Sequence, residues 1–176
     1  MKKFFALVMT LCLLCTVALA EQATANEINW ADVQPVVEAS GLTGEFVTFE
    51  NVGVKIWIPE GMTAVEADQL PENNIGYFQA EDGSAVSVAY VDMGGMELSE
   101  YANQVAALGI EGIETGKLNG LDCVTYENAN EDGSVNFVAS FATQMGYILE
   151  VAVGPVATDD AKTGASIILA SVQAAE

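Results

Sequence analysis

Residues 134–154, SVNFVASFATQMGYILEVAVG, decide the fold. On both sides of the turn Gln144-Met145-Gly146 the residues alternate with a period of two, which predicts two strands joined as a hairpin. Small or apolar residues occupy both alternating sets, whereas a sheet with one face in solvent carries charges on one set. The first set comprises Val135, Phe137, Ala139, Phe141, Tyr147, Leu149, Val151 and Val153. We therefore expect a central hairpin with another element packed on each face.

Three further hairpins are predicted from alternating segments and their turn residues. The segments pair as 45–50 with 54–58, 74–79 with 84–92, and 110–118 with 121–127. The turns Asp82-Gly83 and Asn119-Gly120 have the chemistry that short hairpins need. Pro59 ends a strand because it cannot donate a ladder hydrogen bond. Since strands joined by short turns run antiparallel, the sheet is expected to be largely antiparallel.

Three helices with a single apolar stripe are also predicted. They cover residues 29 or 32 to 40, 97–108 and 159–174, with a further short helix within 62–70. Pro35 favours Asp32 over Asn29 as the first N-cap, because proline is tolerated in the first turn of a helix. Thr158 is the N-cap of the last helix. The stripes are Leu98, Tyr101, Ala102, Val105 and Leu108 in the second helix, and Ala165, Ile168, Leu169 and Val172 in the third.

A sheet with two apolar faces and helices with one apolar stripe bury all of these apolar surfaces when the sheet lies between the helices. The expected fold class is α+β, and the expected architecture is a three-layer α/β/α sandwich around a largely antiparallel sheet. Residues 29–176 are enough for one such domain.

The N-terminus has the order of a secretory signal peptide. Lys2 and Lys3 precede an apolar run and the small residues Ala18-Leu19-Ala20. We expect residues 1–20 to be removed, residues 21–28 to form a short tether, and the protein to be secreted or extracytoplasmic. An uncleaved anchor is the alternative. No membrane insertion is expected after cleavage.

The chain is strongly acidic. Its 5 basic and 25 acidic residues give a formal charge of −20, which becomes −22 when Lys2 and Lys3 leave with the signal. Nucleic acid is excluded as a partner, because binding it requires lysine and arginine to neutralise phosphates. The acidity is typical of solubility, with basic partners or divalent cations as alternatives.

The residues that catalysis commonly uses are scarce. The chain contains no histidine, which excludes imidazole metal sites and Ser-His-Asp triads. We expect no enzyme, no catalytic residue and no cofactor; a carboxylate-based hydrolase is the remaining catalytic alternative. Cys123, beside Val124 on a strand, is expected to be a buried hydrophobic side chain and not a reactive thiol.

One segment partly matches a calcium-binding loop. Asn128, Asn130 and Asp132, followed by Gly133, alternate as the oxygen ligands of an EF-hand do. However, Ala139 occupies the position that requires a bidentate glutamate. A polar hairpin turn is favoured, and these three residues stay weak candidates for a metal site.

Two other features have both a structural and a functional interpretation. Lys55 and Trp57 share one face of a strand, where they could bind a ligand, although Trp57 is expected to lie under a covering helix. Trp30 is expected to anchor the first helix to the core.

The Gly94-Gly95 segment precedes a helix and could present backbone amides to an anion. A simple turn is favoured, because the segment lacks the full phosphate-loop spacing.

The order of elements resembles the PsbP-like fold, which includes Mog-type proteins and DcrB-like envelope proteins. The segments that carry the resemblance are EFVTFENVGVKIWIPEGM (45–62), VSVAYVDMGGMELSEYA (86–102) and NGLDCVTYE (119–127). The chain is also similar to small secreted proteins of anaerobic Gram-positive bacteria. The resemblance implies a non-enzymatic accessory or binding protein, and it assigns no functional residue.

The expected function is therefore a secreted, acidic, non-catalytic binding or accessory protein of the cell envelope or extracellular space. Its partner would be a protein or a glycan. A surface protein that responds to Ca²⁺ is the first alternative, and the hydrolase is the second.

Overall fold

The computed structural model describes residues 27–70, 72–143 and 146–175. The predicted signal peptide lies outside these ranges. The strands are β1 (Glu27–Ile28), β2 (Gly44–Phe49), β3 (Val54–Pro59), β4 (Thr63–Ala64), β5 (Asn74–Gln79), β6 (Ala85–Asp92), β7 (Glu114–Leu118), β8 (Leu121–Ala129), β9 (Val135–Ala142), β10 (Tyr147–Val156) and β11 (Gln173–Ala174). The helices are α1 (Trp30–Ser40), α2 (Leu98–Ala107) and α3 (Asp159–Ala170), with 3-10 turns at Glu50–Val52 and Ala67–Gln69.

The strands form a large sheet and a small sheet. The large sheet has eight strands in the order β1-β7-β8-β9-β10-β6-β5-β4, and the small sheet has three in the order β11-β3-β2. All neighbours are antiparallel except β1 and β7. The four predicted hairpins are confirmed as β2–β3, β5–β6, β7–β8 and β9–β10.

The hairpin β9–β10 lies in the middle of the large sheet, as predicted. Leu149 is opposite Phe141, and Val151 is opposite Ala139. These four side chains are almost fully buried on one face, while Ile148 is buried on the other. Apolar residues occupy both alternating sets because both faces of this sheet are covered.

The main core lies between the large sheet and a layer made of the small sheet and α3. Val88 and Val151 of the large sheet belong to one buried cluster with Ile56 of the small sheet and Ile168 of α3. On the opposite face of the large sheet, α2 packs through Tyr101 and Val105 against β8, β9 and β10.

Helix α1 covers part of the outer face of the small sheet. Val33 and Val37 form a third cluster with Trp57 of β3 and Ile167 of α3, and Trp30 packs against that cluster. Trp57 is 6% exposed. Trp30 therefore anchors the first helix, and Trp57 lies under a covering helix, as predicted.

The expected fold class, α+β with a largely antiparallel sheet between helices, is confirmed. The architecture has one feature that the sequence did not predict. The hairpin β2–β3 leaves the large sheet and shares the layer of α3, because β11 pairs with β3 directly after that helix ends.

The predicted start of the first helix is wrong. Asn29 is the N-cap and Pro35 lies inside the helix, so Asp32 is not the cap. The amide of Trp30 donates to the side-chain oxygen of Asn119, in the β7–β8 turn. A distant residue thus satisfies a donor at the helix start, which allows the helix to begin before Asp32.

Several other boundaries also differ. Helix α3 ends at Ala170 and not at residue 174, because the next residues pair with β3. Leu108 is 81% exposed and follows α2, so it does not belong to the buried stripe. The strand predicted from residue 110 begins at Glu114. Residues 62–70 contain a single 3-10 turn, and Glu27–Ile28 of the predicted tether form a strand.

Candidate functional site

The candidate metal residues lie in and beside a hairpin turn. Asp132 Oδ1 accepts hydrogen bonds from the amide of Ser134 at 2.9 Å and from its hydroxyl at 2.6 Å. The Asn130 side-chain amide donates to the same hydroxyl at 2.9 Å. Asn128 lies apart from this turn, on β8 opposite Asn136. The Asp132 oxygen, as an acceptor, and the Asn130 side-chain nitrogen, as a donor, thus form bonds that stabilise the turn.

The same turn occurs a second time in the chain. The sequence Glu-Asp-Gly-Ser occupies residues 81–84 and 131–134. Asp82 accepts from the amide and hydroxyl of Ser84 at 2.9 and 2.6 Å, as Asp132 does from Ser134. These bonds to Ser84 and Ser134 lower the pKa of both aspartates. The repetition favours hairpin-turn chemistry over a metal ligand set.

Within the ranges that the structure describes, no three potential metal-ligating side chains of histidine, cysteine, aspartate or glutamate are grouped together. The helices in those ranges are too short or too polar to span a bilayer.

The Gly94-Gly95 segment forms a turn in which the amide of Gly94 donates to Asp92 Oδ1 at 3.0 Å. A carboxylate therefore already accepts from one amide that an anion would need.

A buried polar cluster lies between α2 and the large sheet. The hydroxyls of Tyr101 and Tyr126 both donate to Glu150 Oε2, at 2.8 and 3.1 Å. Ser140, opposite Glu150, donates to the Tyr101 hydroxyl at 3.4 Å. Burial raises the pKa of both tyrosines, so the hydroxyls stay protonated donors. This cluster ties the helix to the sheet, and its carboxylate is half-buried.

This cluster was not predicted from the sequence, although the charge of Glu150 indicates that such a cluster is needed. Glu150 is the single charged residue in the stretch 134–154. A charge in a strand that is covered on both faces requires hydrogen-bond partners. That argument predicts partners for Glu150, but it does not identify the tyrosines.

The outer face of the small sheet presents an aromatic group. Phe46 of β2 is opposite Trp57 of β3. The Trp30 ring contacts Phe46 edge-on with centroids 5.6 Å apart, and its centroid lies 5.9 Å from that of Trp57. Helix α1 covers Trp57 but leaves Phe46 38% exposed. The three rings therefore form a supported aromatic surface in which Phe46 is the most exposed ring.

A lysine extends across this aromatic surface. Lys55 of β3 is opposite Thr48 of β2 and Gln173 of β11. Its Nζ lies 5.7 Å from the centroid of the Phe46 ring, within the range of a cation–π contact. The predicted pair of Lys55 and Trp57 does share this face, but Phe46 is the ring that lies open beside the lysine.

Among the residues that the structure describes, the small sheet ends with β2, and no strand pairs with its outer edge; we call this the free edge of β2. Trp57, opposite Phe46, donates its amide to Ser171 Oγ at 2.9 Å, on the side away from β2. The amide of Trp57 is therefore not bonded to Phe46. In an antiparallel ladder such a non-hydrogen-bonded pair directs the amide and carbonyl of the edge residue outward.

A second contact supports this assignment. The amide of Glu60 donates to the carbonyl of Thr43 at 2.8 Å. Hydrogen-bonded and non-hydrogen-bonded pairs alternate along the ladder, so Gly44, Phe46 and Thr48 share the outward orientation. Each of them is solvent-exposed. We call the outward backbone of these three residues, with the Phe46 ring and Lys55, the β2 surface.

Comparisons with known proteins concern the fold alone. No family model and no curated protein matches the chain. The structure is similar to the solution structure of cyanobacterial PsbP (CyanoP) from Synechocystis sp. PCC 6803, with 12% identity over 74% of this chain and 91% of that one, and a TM-score of 0.57.

Two further similarities are weaker. The Saccharomyces cerevisiae Ran-binding protein Mog1p is 12% identical over 77% of this chain and 97% of that one, with a TM-score of 0.45. A protein from Bacteroides thetaiotaomicron VPI-5482 is 13% identical over 76% and 49%, with a TM-score of 0.47. The similarity to PsbP confirms the predicted PsbP-like fold; the DcrB-like part stays a prediction.

Proposed function

We propose that this chain is an extracytoplasmic, non-catalytic binding protein and that it binds its partner through the β2 surface. The location rests on the signal-like N-terminus, Lys2 and Lys3 followed by an apolar run. The binding role rests on the supported aromatic surface at Phe46.

The exposure of Phe46 is the observation that carries this proposal. A large ring that Trp30 contacts edge-on, and that is opposite Trp57 in the ladder, is presented to solvent, and Lys55 lies over it. Aromatic rings held by neighbours lose little conformational freedom on binding, which is why such side chains dominate interfaces. Thr48 adds a hydrogen-bonding group beside the ring.

The charge of the protein restricts the class of partner. With a formal charge of −22 after the predicted cleavage, the surface repels nucleic acid and other acidic polymers. Two classes agree with an exposed ring, a hydroxyl and a lysine: a protein, and a glycan stacked on Phe46. The predicted secretion supports either class, since both occur in the envelope and outside the cell.

The test is capture of a partner by the mature protein. Residues 21–176 are immobilised and exposed to envelope and culture fractions and to a panel of glycans from the same cells. Phe46→Ala is the test variant. Leu108→Ala is the matched control, because Leu108 is also an exposed apolar side chain but follows α2, on the other side of the large sheet.

We expect a partner that the unaltered protein and the Leu108→Ala variant retain and that the Phe46→Ala variant loses. Retention of nothing, or equal retention by all three proteins, contradicts the proposal.

A further inference from the structure

We propose that the free edge of β2 binds an extended basic polypeptide segment as an additional antiparallel or parallel strand. This inference rests on the proposed binding function and narrows its partner to a protein with such a segment.

The backbone of β2 supplies the hydrogen-bonding groups. Gly44, Phe46 and Thr48 each direct an amide and a carbonyl away from β3, as the Trp57–Ser171 and Glu60–Thr43 contacts establish. A row of such groups at a sheet edge is a template for another strand. The β2 strand is six residues long, a typical strand length in globular proteins.

The side of the molecule beside β2 is open. Phe49 of β2 packs on Gly76 of β5, so β2 lies over β5. Next to β5 the large sheet ends with the two-residue strand β4. An open groove runs along β4, and its lining includes Gly61, Thr63 and Gln79. The groove residue Gly61 follows Glu60, whose amide bonds Thr43 just before β2, so this groove begins beside the start of β2.

Acidic side chains surround this position. Glu45 and Glu50 are exposed at the two ends of β2, and Glu60 is exposed beside its start. Glu81 and Asp82 line the groove along β4. Lys55, by contrast, reaches Phe46 from the β3 side of the strand. The edge thus favours lysine and arginine on the incoming segment.

Charge also decides against a second copy of this chain as the occupant. Pairing two β2 edges would bring together two proteins with a formal charge of −22 each after the predicted cleavage, with Glu45 and Glu50 on both sides. Like charges across an edge oppose pairing. A basic segment has the opposite electrostatic sign.

The alternation of β2 predicts the pattern of the bound segment. Phe46 and Thr48 share the outer face, whereas Glu45 and Val47 point to the opposite face. Apolar residues of the incoming strand would align beside Phe46, and lysine or arginine would align with Glu45 and the groove acids. The expected ligand therefore alternates basic and apolar residues with a period of two.

Amide hydrogen exchange of residues 21–176 tests the geometry directly. The probe is the peptide acetyl-Lys-Val-Lys-Val-Lys-Val-Lys-amide, and the matched probe has glutamate at each lysine. Without peptide, the amides of Phe46 and Thr48 should exchange faster than those of Val47 and Phe49. The lysine peptide should slow exchange at Phe46 and Thr48, and the glutamate peptide should not.

Two variants of Thr48 separate the contribution of its backbone amide to peptide binding from that of its side chain. Thr48→Pro removes an outward amide, and proline is tolerated at an edge position whose N–H faces solvent. Thr48→Val keeps that amide. We expect Thr48→Pro to melt near the unaltered protein and to bind the lysine peptide about three- to tenfold more weakly, the order of effect of one lost backbone hydrogen bond. Because Thr48→Val keeps the outward amide, it should bind the lysine peptide more tightly than Thr48→Pro does.

Unchanged exchange at Phe46 and Thr48 with the lysine peptide overturns the inference, and so does equal slowing by the glutamate peptide. These measurements use the unaltered protein, so they decide the question even if Thr48→Pro does not fold. Capture of a partner through Phe46 without protection of these amides would contradict this inference alone and would leave the proposed binding function intact.

Discussion

The hydroxyl of Tyr101 lies 2.8 Å from Glu150 Oε2 and joins helix α2 to the central strand β10. Tyr126 donates to the same oxygen at 3.1 Å. One carboxylate oxygen therefore satisfies two buried hydroxyls from different elements. The position of α2 on the large sheet depends on this shared acceptor as well as on the apolar contacts of Val105.

Removing the acceptor should cost more than removing one donor. Tyr101→Phe deletes the bond to Glu150 and the longer contacts with Ser140 and Tyr126, but it leaves Glu150 with Tyr126 as a donor. It is expected to lower the free energy of unfolding by about 1 kcal/mol. Glu150→Ala leaves both tyrosine hydroxyls without this partner and should lower it by roughly 2–4 kcal/mol. Urea unfolding measures both values. An equal cost for the two variants would show that Glu150 is not the shared acceptor.

Gly76 and Phe49 give a test of the packing between β2 and β5. A Cβ atom at Gly76 would lie 2.5 Å from the Phe49 ring, so Gly76→Ala should lower stability by about 1–3 kcal/mol. Adding Phe49→Leu should recover part of that loss. Gly164→Ala is the control, because its Cβ would meet nothing within 4 Å and alanine favours a helix. Thermal melts should show a lower melting temperature for Gly76→Ala and a higher one for Gly164→Ala. A lower melting temperature for Gly164→Ala would contradict the explanation by the contact with Phe49.

Cys123 should be unreactive in the folded protein. Burial raises the pKa of its thiol from 9.0 to about 11, with the charge of Asp122 as a smaller cause. At pH 8 we expect slow labelling by iodoacetamide, and rapid labelling once urea unfolds the chain. Equal labelling rates in the two states would contradict burial of this thiol.

The raised pKa of Cys123 makes the stability of the protein depend on pH. Because the folded pKa is raised, the contribution of the thiol is complete below its unfolded pKa and is lost as the pH rises through about 11. Stability of the unaltered protein should therefore fall more steeply between about pH 9 and 11 than that of Cys123→Ala. If the stability of the two proteins falls equally over this pH range, ionisation of Cys123 is not a cause of the fall.

Asp82 and Asp132 should behave alike. Their bonds to Ser84 and Ser134 lower the pKa of each carboxyl, so their stabilising effect is present above the unfolded pKa and lost as the pH falls through the folded one. Asp82→Asn and Asp132→Asn should lower the melting temperature by similar amounts at pH 7. Below the folded pKa values the differences should vanish.

This pair also tests the calcium alternative. At fixed ionic strength, calcium should affect the two variants equally if both aspartates are turn residues. A rise in melting temperature that Asp132→Asn abolishes and Asp82→Asn leaves intact would instead support a site at Asn128, Asn130 and Asp132.

Local patterns were enough to predict most elements. Alternation predicted the strands of the four hairpins, and turn residues such as Asn119-Gly120 predicted their connections; Asn119 and Gly120 both have positive φ. The side-chain bonds of Asn119 were not predictable. It accepts from the amide of Trp30 and donates to the carbonyls of Ala170 and Val172 at 2.8 Å, across long separations in sequence.

The candidate site was only partly predictable. Alternation placed Lys55 and Trp57 on one face, but it could not tell which ring would stay in solvent. Helix α1 covers Trp57 and not Phe46, and this depends on where the helix packs. Likewise Leu108 fits the apolar stripe of α2 by spacing, yet the helix ends before it and leaves it exposed.

The sequence by itself determined the hairpins, the three helices, the acidic charge and the lack of histidine, because each depends on neighbouring residues or on composition. The tertiary structure alone decided that β2–β3 forms a separate sheet with β11. It also decided that β2 ends the small sheet in the part of the chain that the structure describes, and that Glu150 accepts hydrogen bonds from two tyrosine hydroxyls. These features arise from contacts between residues far apart in the chain, where many pairings satisfy the same local pattern and the packing of the whole core selects one.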